Sequence, residues 1–216
     1  FHAVHRAQSG NRQTNNVGFA AIEPVRFELS VSGRRLMSNP AIKLRPWQES
    51  DLPTLLRLRN DVELQALLLS TVRGSDINDV RAWLERRTAS KDATFHIIAD
   101  LTSNEPLGYI QAEACVDNPS TWQLGICLDW PFQGAGRGTA VLREFHDLLG
   151  QTGSVESLRL VVAEKNIRAL ACYERLGYRP CDREVDPVEV NGERQDVRHM
   201  VLQLSFGAAR NECASS

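Results

Sequence analysis

Residues 133–138 read Gln133-Gly134-Ala135-Gly136-Arg137-Gly138, between an apolar, strand-like run and an amphipathic helical pattern. A glycine-rich turn that opens a helix presents unpaired backbone N–H groups and the positive end of the helix dipole, which together cradle phosphate. A second segment lies downstream: Asn166-Ile-Arg-Ala-Leu-Ala-Cys-Tyr173-Glu-Arg-Leu-Gly177-Tyr178. The pair predicts a phosphorylated ligand.

Outward from that turn the pattern alternates between strand and helix periodicity. Toward the N-terminus, Ile42–Trp47 reads as a short strand, and Ser50-Asp51-Leu52-Pro53 supplies cap and first-turn residues for a helix with Leu52, Leu55, Leu56, Leu58 and Leu64 inward. Asn60-Asp61 marks an interruption in it. A second helix is expected over Ile77–Ala89, with Val80, Trp83 and Leu84 at helical spacing and Ser75 or Asp76 as cap. Thr94–Asp100, Pro106–Ala114 and Thr121–Leu128 read as an antiparallel meander joined by Thr102-Ser-Asn104 and Asp117-Asn-Pro-Ser120.

Beyond the turn, Val141, Leu142, Phe145, Leu148 and Leu149 define one helical face, with Gly150 as a left-handed C-cap. Leu158, Leu160 and Val162 alternate as a strand. Asn166 caps the next helix, whose Ala169, Leu170, Tyr173 and Leu176 share a side and which ends at Gly177. Two closing strands follow, Tyr178–Val190 and one ending near Leu204, joined by a hairpin turn at Asn191-Gly192.

The chain has 216 residues, 42% apolar and 24% charged, with a formal net charge of −2. This suits one globular domain. No Lys/Arg cluster is interleaved with aromatics, so nucleic acid is not an expected partner. No apolar run reaches the roughly 18 residues of a membrane span, so no membrane partner is expected either. Five cysteines, Cys115, Cys127, Cys172, Cys181 and Cys213, show no C-x-x-C spacing and read as reduced thiols of a cytoplasmic protein. Residues 1–36 carry five Arg against two acids and no sustained periodicity, and they read as a disordered or non-native extension. Met37 then looks like an ordinary start. The expected domain spans residues 37–206, with a frayed tail over 207–216.

The element order resembles that of the GNAT N-acetyltransferase superfamily. The resemblance rests on Q-x-x-G-x-G at Gln133, Gly136 and Gly138, and on N-x-x-A-x-x-x-Y-x-x-x-G-Y at Asn166, Ala169, Tyr173, Gly177 and Tyr178. It covers residues 42–204. It implies an α/β (α+β) fold with a mixed central sheet of six or seven strands. Most are antiparallel, with a splayed parallel pair at strands four and five, and about four helices flank the sheet. Leu44-Arg45-Pro46-Trp47, Ser50-Asp51-Leu52, Gly125 and Asp196…Met200 look like the Rim branch, the ribosomal-protein N-terminal acetyltransferase type.

The resemblance implies acetyl-CoA as the acyl donor and no metal. The coenzyme's pyrophosphate would lie on amides of Gly134, Ala135, Gly136, Arg137, Gly138 and Thr139, where glycine lets the backbone approach closely, with Gln133 also at the coenzyme. Its pantetheine arm would pair with backbone groups of Ile126 and Leu128, and the Leu128 amide would stabilise the oxyanion. Asn166 and Ala169 would border the coenzyme. Tyr173 would act as general acid toward the departing thiolate. Cys127 reads as core rather than as an acyl carrier.

The general base departs from the pattern. Gln123-Leu124-Gly125 stands where the branch has Glu-Ile-Gly, and glutamine is no base at neutral pH. Glu113 is the first substitute candidate, followed by Asp129 and His96; a neutral or water-deprotonated amine stays open. The acceptor is a small-molecule amine or a protein N-terminus, selected by residues 60–76 and the terminal hairpin, whose acidic side chains would favour a cation. A homodimer is compatible with all of this. A second function class, a coenzyme A-binding protein with a regulatory or structural role and little turnover, fits the missing glutamate.

Overall fold

The computed structural model describes residues 41–181 and 187–204. The expected extension over 1–36, the expected tail over 207–216 and the stretch 182–186 lie outside the described residues. In chain order the elements are β1 (Ile42–Arg45), a 3-10 turn (Glu49–Asp51), α1 (Leu52–Asn60), α2 (Val62–Leu67), α3 (Ile77–Ala89), β2 (Ala93–Asp100), β3 (Pro106–Cys115) and β4 (Asn118–Leu128). A second 3-10 turn (Trp130–Phe132) leads into α4 (Arg137–Gly150), β5 (Ser157–Ala163), α5 (Ile167–Arg175), β6 (Arg179–Pro180), β7 (Val188–Val190), β8 (Glu193–Gln195) and β9 (Val197–Gln203).

Seven strands form one sheet in the order β1-β2-β3-β4-β5-β9-β6. All neighbours run antiparallel except β4 and β5, which are parallel. This is the expected mixed sheet with a parallel pair at strands four and five. Alternation along each strand divides the core in two. Ile110, Leu124, Leu158, Leu160 and Met200 face α4 and α5, packing with Phe145, Leu142 and Tyr178. Phe95, Ile97, Tyr109 and Cys127 face the other way, against Leu55 and Leu58 of α1 and Val80, Trp83 and Leu84 of α3.

Local chemistry explains most boundaries. The Asp61 carboxylate accepts from the Leu64 amide at 2.9 Å, so the interruption expected at Asn60-Asp61 is the cap of a separate helix, α2. Asp76, rather than Ser75, caps α3 by accepting from the amides of Asn78 and Asp79. Asn166 caps α5 through the Ala169 amide at 3.2 Å, and Gly177 takes φ 92° just past the end of that helix. At the start of α1 the chain enters at Gln48 rather than Ser50. Asp51, 1% exposed, accepts from the Gln48 amide and holds both guanidinium nitrogens of Arg45, at 2.7 and 2.8 Å. That bidentate pair ties β1 to the helix layer.

Two expectations are corrected. Gly150 is the last residue of α4 and not a left-handed cap. Thr152 donates from its hydroxyl to the Leu149 carbonyl, the chain continues through Gln151, and Gly153 supplies the left-handed residue at φ 67°. Among the described residues the two closing strands are four. Asn191 and Gly192, at φ 52° and 80°, make the expected hairpin turn, but it joins β7 to β8 in a small separate sheet. The main sheet is completed by β9 and the two-residue β6. The break falls at Asp196, whose carbonyl accepts from the Glu164 amide at 2.9 Å and so leaves the hairpin ladder.

His146 of α4 lies 2.9 Å through Nε2 from the hydroxyl of fully buried Tyr178. Burial pulls this imidazole from 6.5 down to about 4. In the unfolded chain it takes a proton near its ordinary value, so its contribution to stability is complete above that value and is lost as the pH falls toward 4. Urea unfolding across that interval is expected to show a loss on the order of 2 kcal/mol. His146→Gln should flatten that part of the profile.

Candidate active site

β4 and β5 pair for only three residues, Thr121 to Gln123 against Ser157 to Arg159. Beyond Gln123 each strand stays bonded to its outer neighbour. β4 continues on β3 as far as Leu128 opposite Gly108, and β5 continues on β9 as far as Ala163 opposite Val197. A wedge therefore opens between them without costing either strand its other ladder. The Asp129 amide donates to the Leu107 carbonyl at 2.9 Å. By the two-residue period of an antiparallel ladder, Cys127 and Gly125 also direct their backbone groups to β3, while those of Ile126 and Leu128 face the wedge. Gln133 takes the Leu128 carbonyl through its Nε2 at 2.9 Å. The Leu128 N–H is left facing the opening.

Two contacts hold the end of β4 against β3 and α1. Asp129, 5% exposed, receives both guanidinium nitrogens of Arg57, at 3.0 and 2.7 Å. The Arg57 hydrogen bonds hold its carboxyl below the usual aspartate range. Gly108 lies so close to β4 that a Cβ there would meet the Cys127 carbonyl oxygen at 2.1 Å.

The wedge is part of a cleft of about 1040 Å³ that also takes in the glycine turn and the start of α5. Gly134, Ala135 and Gly136 follow one another at φ 86°, 48° and 79°, a left-handed run in which Ala135 alone carries a Cβ. The Arg137 amide is spent on the Gly134 carbonyl at 3.1 Å, and the Ala140 amide on that of Gly136 at 3.0 Å. The unengaged donors of the first helical turn are thus Gly138 and Thr139. This narrows the expected set, since Arg137 is the one residue of 133–139 that does not line the cleft. Gly138 admits Leu128 and Cys172, whose nearest atoms would lie 4.0 and 3.8 Å from an added Cβ. The Thr139 hydroxyl and Cys172 thiol are 3.2 Å apart.

From the far wall come Asn166, Ala169 and Tyr173 of α5, together with Arg168 and Arg175. Tyr173 is half-buried and stacks edge-on against Tyr178, with ring centroids 5.5 Å apart. Burial raises its phenol well above 10, so it carries its proton at neutral pH. Burial likewise pushes the Cys127 thiol up to about 12, which leaves no thiolate to carry an acyl group.

The candidate bases are not brought into this constellation. Glu113 is exposed on β3 opposite Gln123, ion-paired with Arg87, and Arg87 rather than Glu113 lines the cleft. Asp129 is consumed by Arg57. His96 lies under α4, 6.1 Å from the Phe145 ring, does not line the cleft, and burial lowers its pKa. Gln123 does line the cleft and accepts from Arg159 Nε at 3.4 Å. Sequence reasoning missed Arg59, Trp83 and Gln111, which line the side of the cleft under α1 and α3. The only signal for Arg59 was a pair of cations, Arg57 and Arg59, in the last turn of a leucine-rich helix.

The acetyltransferase (GNAT) domain family matches residues 41–179. The chain belongs to that family. Among relatives of GNAT type, the [ribosomal protein bS18]-alanine N-acetyltransferase of Escherichia coli (strain K12) is 27% identical over 125 residues, 57% of this chain and 82% of the relative. Two solved structures share the fold. Spermidine N-acetyltransferase from Vibrio cholerae, in complex with CoA and spermine, has a TM-score of 0.69 at 17% identity, covering 77% of this chain and 97% of that one. Ribosomal-protein-alanine N-acetyltransferase from Brucella melitensis has a TM-score of 0.64 at 21% identity, covering 75% and 99%. As a GNAT member the chain is an N-acetyltransferase, similar to the Rim branch. Among the described residues no helix is long and apolar enough to cross a membrane.

The closeness of Gly108 to β4 is what positions the Leu128 amide in the wedge. Gly108→Ala is expected to cost about 3 kcal/mol in chemical denaturation, the upper end of overpacking penalties. A loss below about 0.5 kcal/mol, the ordinary range of surface changes, would show that β3 and β4 tolerate separation there.

Proposed function

We propose that this chain transfers an acetyl group from acetyl-CoA to a primary amine by direct attack within a ternary complex, in the cytoplasm. The observation that carries this reading is the wedge beyond Gln123, into which the Leu128 amide faces and which shares one cleft with the glycine turn and Tyr173. An extended pantetheine arm pairs with the backbone of Ile126 and Leu128 as an added strand would. The pyrophosphate lies over the amides of Gly138 and Thr139 at the positive end of α4. Asn166 and Ala169 border the arm.

Attack of the amine on the thioester carbonyl places negative charge on its oxygen, and the Leu128 N–H is the donor that meets it. Collapse of the tetrahedral intermediate breaks the C–S bond, and Tyr173 gives its proton to the leaving sulfur. A strongly raised phenol is a weak acid in water. The same apolar surroundings raise the basicity of the thiolate, so the two stay matched. No described carboxylate or histidine lines the cleft, so the ammonium form of the acceptor loses its proton to water before attack. The same lack supports a second reading, coenzyme A binding with little turnover. Coenzyme binding without thiol release from any amine would favour it.

Tyr173→Phe is expected to lower kcat by about tenfold or more, the lower part of the range for general acid catalysis and below, while acetyl-CoA affinity changes less than threefold in calorimetry. Equal loss in both would make Tyr173 a packing residue. In the wild type, kcat/KM should rise with pH up to the acceptor's own pKa, with no additional inflection between pH 5 and 7. An acidic inflection that moved with Glu113→Gln would reinstate a protein base.

A further inference from the structure

Charge in the cleft is one-sided. Among the described residues Arg59, Arg87, Arg168 and Arg175 line it, and no Asp or Glu does. Arg87 is neutralised by Glu113 at the rim. Arg168 and Arg175 belong to α5, beside the glycine turn, where an anionic coenzyme is expected. Arg59 is different. It stands on the opposite side, under α1 and α3, and among the described residues it has no carboxylate partner.

Its placement is nonetheless specific. The guanidinium carbon lies 4.4 Å from the centre of the Trp83 ring. Trp83 is in turn locked by edge-on contacts with Phe95 at 5.1 Å and Tyr109 at 5.4 Å. The Arg59 Nε is buried and has no hydrogen-bond partner. A cation so placed gains something from the aromatic face, but a buried unpaired donor remains costly. A carboxylate offers two oxygens to the guanidinium fork and removes that cost.

Gln111 adds a second unpartnered group to the same cleft, since its side-chain Oε1 is also buried without a donor. It sits across the ladder from Gly125, where an added Cβ would come within 3.5 Å of its amide nitrogen. With no side chain at Gly125, the Gln111 amide lies along the cleft wall in ordinary contact distance of the β4 backbone. The wall thus offers a fixed cation for a carboxylate and an amide oxygen for an N–H. A polyamine would bring several positive charges to a surface that has no counter-charge for them among the described residues.

We infer that the acceptor is a small amine bearing a carboxylate, an amino acid in kind, whose carboxylate is held by Arg59 and whose N–H groups are received by Gln111. This rests on the acetyl-transfer reading above and names its substrate class. The acidic closing segment, which favoured a cation, is outweighed by the composition of the cleft itself.

The test is a thiol-release assay on the full chain with acetyl-CoA, using amino acids paired with their methyl esters, a C-terminally amidated peptide, and spermidine. The wild type should turn over at least one free amino acid with a higher kcat/KM than the amidated peptide or spermidine. The acid-to-ester ratio of kcat/KM, compared between wild type and variant, cancels the different basicities of the two amines. It should fall about tenfold in Arg59→Gln, the size of one lost charge-assisted contact, chiefly through KM for the acid, with partial recovery in Arg59→Lys. Acetyl-CoA affinity and the melting temperature of each variant establish that it has folded. An unchanged ratio, or preference for spermidine or the amidated peptide, overturns the inference and leaves acetyl transfer standing. Coenzyme binding without transfer to any amine overturns both.

Discussion

The parallel contact between β4 and β5 lasts three residues, and the site depends on its stopping there. Parallel strands ordinarily stay paired along their length because an unpaired edge inside a sheet exposes backbone groups to no partner. Here each strand has a stronger hold elsewhere. β4 is kept on β3 by the close passage of Gly108 and by the Asp129 pair with Arg57, while β5 is kept on β9 through seven consecutive residue pairs. The divergence leaves a slot with backbone polar groups along one side. An extended ligand with amides of its own fits such a slot better than a side-chain-lined pocket would.

That slot is completed by charge and by burial rather than by a catalytic carboxylate. The start of α4 contributes the unengaged amides of Gly138 and Thr139, and α5 contributes two arginines. Burial keeps the phenol of Tyr173 protonated and the thiol of Cys127 inert, which separates a group able to donate a proton from one that might have been mistaken for a nucleophile. The carboxylates near the cleft are engaged in structure. Glu113 balances Arg87, and Asp129 anchors Arg57.

Much of the fold was legible in the sequence, because the signals were local. α3 begins and ends as its leucine and tryptophan spacing and its aspartate cap require. α5 is bracketed by Asn166 and Gly177 as expected. The errors arose where a local signal had competitors. Gly150 had the composition of a cap, but Gly153, three residues on, could serve as well, and the hydroxyl of Thr152 extended the last turn. The closing strands read as continuous because nothing in Asp196 announces that its carbonyl will bond Glu164 across the molecule.

For the site the division is sharper. By itself the sequence determined the glycine turn, the strand and helix that flank it, and the tyrosine helix. Each of these is written in short-range glycine, capping and periodicity patterns, whose physics acts within a few residues. Only the tertiary structure decided which ionisable groups reach the cleft. Glu113, Asp129 and His96 were all candidates on paper, Glu113 first, and each is withdrawn by a partner or a neighbour distant in the chain: Arg87, Arg57 and Phe145. Arg59 passed unnoticed in a leucine-rich helix, yet its stacking on Trp83 and, among the described residues, its want of a counter-ion single it out. Pairing and desolvation depend on what surrounds a charge in space, and that is settled when β3, β4 and the helices of both layers come together.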